Sequence, residues 1–505
     1  MVEELTIEDM ATFCKAKGFV FPSSEIYGGY AGFFDYGPLG AELKNNLKQH
    51  WWKTFVQKRE DVVGIDGSII TNPKVWIASG HVECFEDIML ECSKCKHRVR
   101  GDHLIEDQLK IVADGLSKED INKLVQENNI KCPTCKGDLE EGRQFNLMFE
   151  TNVGPVQSDT SKSYLRPETA QVIFADFKLV TDTSRLKLPF GIAQMGRAFR
   201  NEISPRDFLF RCREFEQMEI EYFINPEKAD DCPYMDEVND HKLFIYSSDM
   251  QEKKQKEKMM TIKDALKKKM IQTKWHAYWL ALSHKWFISL GATADKFRIR
   301  QHLPTEKSHY ATDTWDLEYK FPFGWKELQG MANRTDFDLQ QHMKHSKKDM
   351  GLYDEETKKK IVPHVVAEPS QGVDRAFLVF MFDSFVDDKK RGNKVLKLST
   401  KLAPIKFTIC PLIKKLSEKA REVYKILNED HNCFYDESGS IGRRYARQDE
   451  IGTPYCITID FETIEKDDAV TIRNRDTTEQ KRIKLDKLQE ICWKLMNNKI
   501  SFAEL

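Results

Sequence analysis

The stretch from Phe199 to Tyr222 limits the possible folds of this chain more than any other. Two β-type runs are joined by a loop carrying Arg200, Arg206, Arg211 and Arg213, with Glu202 early in it and Phe215 opening the second run, which continues through Glu219 and Glu221. A guanidinium offers planar, paired donors that suit phosphate oxygens, and a phenyl face can take an adenine ring. An isolated Arg/Glu alternation is ordinarily a surface hairpin laced with ion pairs. The density of this cluster, and its companions elsewhere in the chain, favour a nucleotide site.

The commoner phosphate motifs are missing: there is neither G-x-x-x-x-G-K-[ST] nor a G-x-G-x-x-G after a strand, so a P-loop or dinucleotide fold is not supported. The 505 residues suffice for two or three domains, and 40% hydrophobic residues argue against disorder. A formal net charge of -2 does not point to nucleic acid, so any RNA contact must come from local basic patches. No apolar stretch approaches the roughly 20 residues of a membrane span. The start, Met1-Val2-Glu3-Glu4-Leu5, lacks a signal pattern, which leads us to expect a cytoplasmic protein.

Of twelve cysteines, eight are scattered as in a reducing compartment. The other four form Cys92-x-x-Cys95 and Cys132-x-x-Cys135, two thiolate knuckles suited to a closed tetrahedral structural zinc site. Their gap exceeds the roughly 15–20 residues of a compact ribbon, and a helix between them would fill it. A redox role for one pair is the lesser alternative.

Periodicity predicts a helix over Lys44 to Val56 with Leu43, Leu47, Trp51 and Phe55 on one face, begun by the Gly37-to-Gly40 turn. A strand is expected from Gly64 to Pro73. The Lys- and Glu-rich region from Asp230 to Ala294 reads as a solvated helical insertion. Strand character returns from Phe297 to Ser370, followed by an apolar helix, Ala376 to Val386. Asp387 to Lys401 reads as a linker. Beyond Pro404, alternating strands and helices suggest a separate mixed α/β domain of about a hundred residues.

With these residues in view, Phe199 to Tyr222, with FRNEISPR and REF, resembles motif 2 of the class II aminoacyl-tRNA synthetases, and most of all the glycyl family. Gly37 through Trp51-Trp52 to Pro73 is similar to that family's motif 1 (about 37–73), and Glu368-Pro369-Ser370 through Gly372-Val373-Asp374-Arg375 to its motif 3 (about 366–386). Gln144 to Phe149, Tyr164 to Gln171 and Gly324 to Leu339 also match. The resemblance implies an α+β fold: an antiparallel sheet flanked by helices as catalytic core (1–91 and 140–400, motif 2 at about 197–223). It further implies a four-cysteine, zinc-ribbon-like insertion (92–139), a helical insertion (226–296) and a C-terminal anticodon-binding domain (401–505). A homodimer is implied through motif 1, for which the apolar face of Lys44 to Val56 is a candidate surface.

Residue by residue, the resemblance implies that Arg200 holds the α-phosphate of ATP while the glycine carboxylate attacks. Arg211 and Arg375 would bind the outer phosphates, with Arg375 covering adenine opposite Phe215. Asn201 belongs to the same ATP set, and Glu202 with the backbone of Cys212 would meet the adenine amino group. Glu327 and Leu328 would lie beside the nucleotide, Glu327 as a candidate Mg²⁺ ligand. Glycine would be held by Glu168, Glu219, Glu368, Pro369 and Ser370. A carboxylate about 4 Å from an ammonium contributes on the order of 4 kcal/mol at an effective dielectric of about 20, before desolvation. The insertion carries its cysteines in only some members; all four stand here, so bound zinc is expected. In the C-terminal domain Arg443, Arg444, Arg447 and Gln448 are candidates to contact tRNA(Gly). The alternatives are another class II synthetase built of the same modules, or an inactive synthetase-like RNA-binding protein.

Overall fold

The computed structural model describes residues 5–111, 113, 115–156, 158, 161–307 and 311–505; the acidic start Met1–Glu4 lies outside them. An N-terminal helix, α1 (Ile7–Lys17), closes on a capping box at Thr6 and Asp9. The next, α2, runs from Pro38 to Trp52, earlier than its apolar period suggested, because Gly37 caps it and Pro38 fits the first helical turn. Its start presses against the preceding chain: a Cβ on Gly40 would sit 1.8 Å from the Phe19 carbonyl oxygen.

The apolar stripe of α2 is not a free surface. Leu43, Leu47, Trp51 and Phe55 are all buried in the chain's own main core, so this face is not available to a second subunit.

Among the described residues the main sheet has nine strands. In chain order they are β1 (Val62–Ile65), β2 (Phe190–Phe199), β3 (Glu214–Ile224), β4 (Lys242–Tyr246), β5 (Lys258–Thr261), β6 (Phe297–Gln301), β7 (Asp313–Phe321), β8 (Gly324–Asn333) and β9 (His364–Gly372). The spatial order is β5-β4-β6-β7-β8-β9-β3-β2-β1. It is antiparallel as expected except where β1 pairs with β2 and β4 with β6. The strand expected from Gly64 to Pro73 stops at Ile65, and Pro73 instead caps a short helix, Lys74–Ala78.

Alternation along β3 sends Met218, Ile220 and Tyr222 into the core, where Tyr222 packs on Trp275 and Trp279 at 4.7 and 5.2 Å between ring centroids. Phe215, Gln217, Glu219 and Glu221 face the other way. This second face carries the site.

The region from Asp230 to Ala294 is not simply a solvated helical insertion. It adds β4 and β5 to the sheet edge, and its helix Lys274–Ser289 is buried on nearly every side. Net charge hid this: the lysines cluster at 253–269, mostly exposed, while the following segment is aromatic and enters the core.

The cysteine module has three strands (Glu86–Glu91, Arg98–Arg100, Arg143–Asn146), helices α3 (Gly101–Leu109) and α4 (Lys118–Glu127), and a small core of its own. Helices α5 (Ala170–Ser184), α6 (Lys274–Ser289), α7 (Phe337–Ser346) and α8 (Val373–Ser384) flank the main sheet. The expected linker is in fact a hairpin, Phe385–Asp388 with Asn393–Leu396. It is fastened to the last domain by Arg391, which donates to the Arg475 carbonyl at 2.6 Å.

That domain holds a five-stranded sheet of β10 (Phe407–Pro411), β11 (Cys433–Tyr435), β12 (Tyr455–Ile459), β13 (Ala469–Asn474) and β14 (Gln480–Lys484), ordered β11-β10-β12-β13-β14. Helices α9 (Ser417–Asn428), α10 (Ile441–Ile451) and α11 (Leu485–Met496) accompany it. Every residue of β12 is buried, as for a strand covered on both faces.

Candidate functional site

The site lies where β2, β3, β8 and β9 present one face beside the loop between β2 and β3. Register sets its floor. Glu219 stands opposite Gln194 on one side and Ser370 on the other, Ser370 opposite Gly330, and Gln217 between Gly196 and Gly372. A Cβ on Gly330 would meet only Glu327 Oε1 at 3.8 Å, and for one on Gly372 the nearest atoms would be those of the Arg375 side chain, at 3.5 Å. The floor is therefore open at Gly330 and Gly372, leaving room there for a flat or small group, whereas at Gly196 the Arg166 guanidinium fills the space, 2.0 Å from where a Cβ would sit.

Three of the expected arginines converge on this cleft, with Glu202, Cys212, Phe215, Glu327, Leu328 and Ser370 also lining it. Arg200 donates from Nε to the Pro167 carbonyl at 3.0 Å, and its guanidinium lies 5.3 Å from the Phe215 ring. Arg375 lies over Phe210 at 4.5 Å, pairs with the Glu327 carboxylate at 3.1 Å and donates to the Glu327 carbonyl at 3.0 Å. The ring beneath the Arg375 guanidinium is thus Phe210, and the guanidinium over Phe215 belongs to Arg200.

Arg211 is held at Nη1 by His103 Nε2 of α3 at 3.1 Å, with Glu202 at 3.6 Å. Burial, then the neighbouring Arg211 and Arg100, push His103 down to about 2. The ring is neutral, and Nε2 is the acceptor. Asn201 is fixed by its backbone N–H, which donates to the Leu147 carbonyl at 2.7 Å.

Deeper on the same face lies a nest of acids. Glu368 accepts from Arg334 Nη1 at 2.6 Å, and Arg334 also grips Asp338 at 2.7 and 2.9 Å. Glu219 accepts from the Thr169 hydroxyl. Glu168 accepts from Gln171 Nε2 at 3.1 Å, with His81 Nε2 at 3.4 Å.

Environment separates these carboxyls. Burial, reinforced by Glu219 and Glu168, raises Glu368 to about 8 despite Arg334. Glu219 is raised by burial and then by the charge of Glu168. Glu168 goes the other way: burial works against it, but His81, Arg334 and Arg200 hold it below the usual carboxylate range. A pocket rich in carboxyls with few cations is short of positive charge, and a primary ammonium supplies it.

Pro369 stands apart from its neighbours. It pairs in register with Met331 and so turns to the core face, opposite Glu368 and Ser370. Sequence reading passed over Arg334, Thr169, Gln217, His81 and His103. Arg334 falls inside the Gly324–Leu339 match, but nothing local marks it as the partner of two acids.

In the cysteine module, Cys92 and Cys135 Sγ are 3.5 Å apart, Cys95 and Cys132 Sγ 3.6 Å, and all four sulfurs lie within 4.8 Å of one another. A tetrahedron with Zn–S bonds of about 2.3 Å has edges of about 3.8 Å. The set fits a zinc ion.

The C-terminal candidates do not all face solvent. Arg444 is 4% exposed and spends its guanidinium on the carbonyls of Gly439, Pro411 and Asp436. Gln448 is buried, its Oε1 accepting from Thr408 and Thr453 at 2.7 Å. These two are structural, because α10 packs that side on the sheet and a tRNA cannot reach it. Arg447 is exposed but engaged by Asp436 at 2.6 Å; Arg443 is exposed.

Known proteins resemble the chain over nearly its whole length. Residues 149–381 match the family described as tRNA synthetase class II core domain (G, H, P, S and T), and residues 406–495 match the anticodon binding domain. The chain is 46% identical over 492 residues to the glycine–tRNA ligase of Bacillus thuringiensis subsp. konkukian, covering 96% of this chain and 98% of that one. It is 45% identical over 499 residues to the glycine–tRNA ligase of Clostridium beijerinckii, covering 97% and 98%. Among solved structures, the prolyl-tRNA synthetase of Cryptosporidium parvum superposes with a TM-score of 0.58 at 13% identity, covering 97% of this chain and 75% of that one, a likeness of fold alone.

Proposed function

The chain belongs to the glycine–tRNA ligase family, and from that premise and the geometry of the cleft we infer how its residues divide the work. The protein is an ATP-dependent glycine–tRNA ligase: it joins glycine to ATP as glycyl-adenylate with release of pyrophosphate, then transfers glycine to tRNA. The observation that carries the assignment of residues is the convergence of Arg200, Arg211 and Arg375 on a cleft open at Gly330 and Gly372 and bordered by buried acids.

In this reading Arg200 meets the α-phosphate and stabilises the charge that builds as a glycine carboxylate oxygen attacks phosphorus and pyrophosphate leaves. Donors fixed in advance at a developing charge are the main source of rate in such a step. Arg211 and Arg375 hold the outer phosphates, Phe215 takes one face of adenine, and Glu202 with the Cys212 backbone meets its amino group. Asn201 and Leu328 border the nucleotide. Class II synthetases use Mg²⁺ with ATP; Glu327, half exposed at the cleft, is the candidate ligand, and the ion would neutralise phosphate charge.

Glycine's ammonium enters among Glu168, Glu219 and Glu368, with Ser370 beside it. Alanine would be refused by its extra methyl group, and since no smaller amino acid competes, no editing step is needed. The four cysteines hold a structural zinc outside the chemistry. We assign the catalytic body to 1–91 and 140–400 and the anticodon-binding part to 401–505, where Arg443 and Arg447 remain the candidates to touch tRNA(Gly). A homodimer and a cytoplasmic location complete the proposal. The first is supported by the exposed apolar residues Ile26, Tyr27 and Tyr30 and is measured by sedimentation; the second is supported by twelve cysteines of which none is in a disulfide.

The test is ATP–pyrophosphate exchange with a panel of amino acids. Exchange dependent on glycine, and absent with alanine, serine and histidine, is expected. Exchange driven by a larger amino acid, or none at all, contradicts the assignment.

A further inference from the structure

Glu221 has no role in the scheme above. It stands two positions after Glu219 on β3, so the alternation of the strand turns both side chains to one face. It is 0% exposed, and neither of its carboxyl oxygens has a hydrogen-bond partner among the described residues. Carboxyl oxygens of Glu219, Glu221 and Glu368 lie within 4.8 Å of one another, so its free oxygens look toward other acids.

A carboxylate buried without a cation or a donor does not persist as an anion; it takes up a proton. Burial, and after it the charge of Glu368, push Glu221 well above the usual carboxylate range, with Glu219 and Asp338 adding to the rise and Arg334 opposing it. These groups come from each element around it: Glu368 from β9, Arg334 and Asp338 from the end of β8 and from α7, Glu219 from β3 itself. His342 of α7 bonds Gln171 and does not pair with the acids.

We propose that Glu221 is a positioning residue for glycine, retaining its proton and turning its O–H onto Glu368 so that Glu368 can carry the negative charge the substrate ammonium requires. The proposal rests on the reading that Glu219 and Glu368 receive the ammonium. Its consequence is specific. Glu368 must be ionised to attract glycine, so the KM for glycine falls as pH rises toward about 8. Without a donor at residue 221, Glu368 holds its own proton more firmly, and that fall is displaced to higher pH.

The experiment is glycine-dependent pyrophosphate exchange by the full-length protein, from neutral to alkaline pH, for Glu221→Gln and Glu221→Leu. Glutamine keeps the shape and a donor but cannot ionise. Glu221→Gln is expected to keep the glycine KM and its pH profile within about threefold of the parent. Glu221→Leu is expected to raise the glycine KM about tenfold at neutral pH, the equivalent of one pK unit, with kcat and the KM for ATP little changed. It should also move the profile to higher pH. A glutamine variant as damaged as the leucine one, or a leucine variant like the parent, overturns the proposal. If Glu221→Leu does not fold, the glutamine profile decides alone: an unmoved profile supports the proposal and a displaced one refutes it. Glu219→Gln and Glu368→Gln test the premise. If neither raises the glycine KM, the pocket assignment fails; if both do and the Glu221 series departs from expectation, only the role of Glu221 fails.

Discussion

Arg334→Met removes a guanidinium that is 2% exposed and makes three charge-assisted bonds, at 2.7 and 2.9 Å to Asp338 and 2.6 Å to Glu368. Removing one partner from a buried ion network costs about 3–5 kcal/mol, because the charges left behind have no compensation. Proton uptake limits the loss on one side of the network. Glu368 already stands at about 8, through burial and then the nearby Glu219 and Glu168, against the pull of Arg334. In the variant it rises further.

The sign of the pH effect follows. A carboxyl raised in the folded state binds its proton more tightly than the unfolded chain does, so stability falls as pH climbs from the ordinary carboxylate range to the folded value. In the parent the Glu368 contribution levels off above about 8. The variant keeps losing stability there, at about 1.4 kcal/mol per pH unit for one proton. A deficit of about 3–5 kcal/mol at neutral pH should therefore widen on the alkaline side. Urea unfolding followed by tryptophan fluorescence reads the right part of the molecule, since of nine tryptophans only Trp493 lies beyond residue 406. A deficit under about 1 kcal/mol, the size of an exposed pair, would refute the argument, as would one independent of pH above 8.

Arg200→Ala should lower glycine-dependent pyrophosphate exchange by about 100–1,000-fold, the usual loss for one preorganised donor, with the fold intact by circular dichroism; near-parental exchange would remove Arg200 from the chemistry. Deleting 404–505 should spare glycine activation and ruin tRNA charging, and unchanged charging would dismiss the anticodon assignment. Metal analysis of protein purified without added zinc should find about one zinc per chain, as a closed four-thiolate site holds; an intact, metal-free fold would rule out the zinc site.

The legible part of the sequence was the part whose pattern is local. The Arg-rich loop between β2 and β3, the cysteine knuckles and the strand Tyr455–Ile459 are each marked by neighbours in the chain. Partnerships across the sheet were not legible. Arg334 reaches Glu368 over 34 positions and His103 reaches Arg211 over 108, and no spacing announces either. Burial misled in both directions. The stripe of α2 suited a dimer surface as well as ordinary core, because an amphipathic helix reads alike whether it meets its own core or another subunit. Arg444 looked exposed because arginines usually are, yet a ring of carbonyls satisfies it inside the fold. The lysine run from Gln251 to Lys269 masked the buried helix that follows it.

Adjacent residues at the start of α8 face in two directions. Arg375 reaches over the cleft, while Asp374 accepts from Lys44 of α2 at 3.2 Å and from the backbone N–H of Glu216 on β3 at 2.8 Å. Lys44 also pairs with Glu216 at 3.0 Å, so helix, strand and arginine share one rigid joint. Because Asp374 and Arg375 are consecutive, that corner ties the position of α2 to the residue whose guanidinium lines the cleft, so the seating of the helix and the placement of Arg375 are set together.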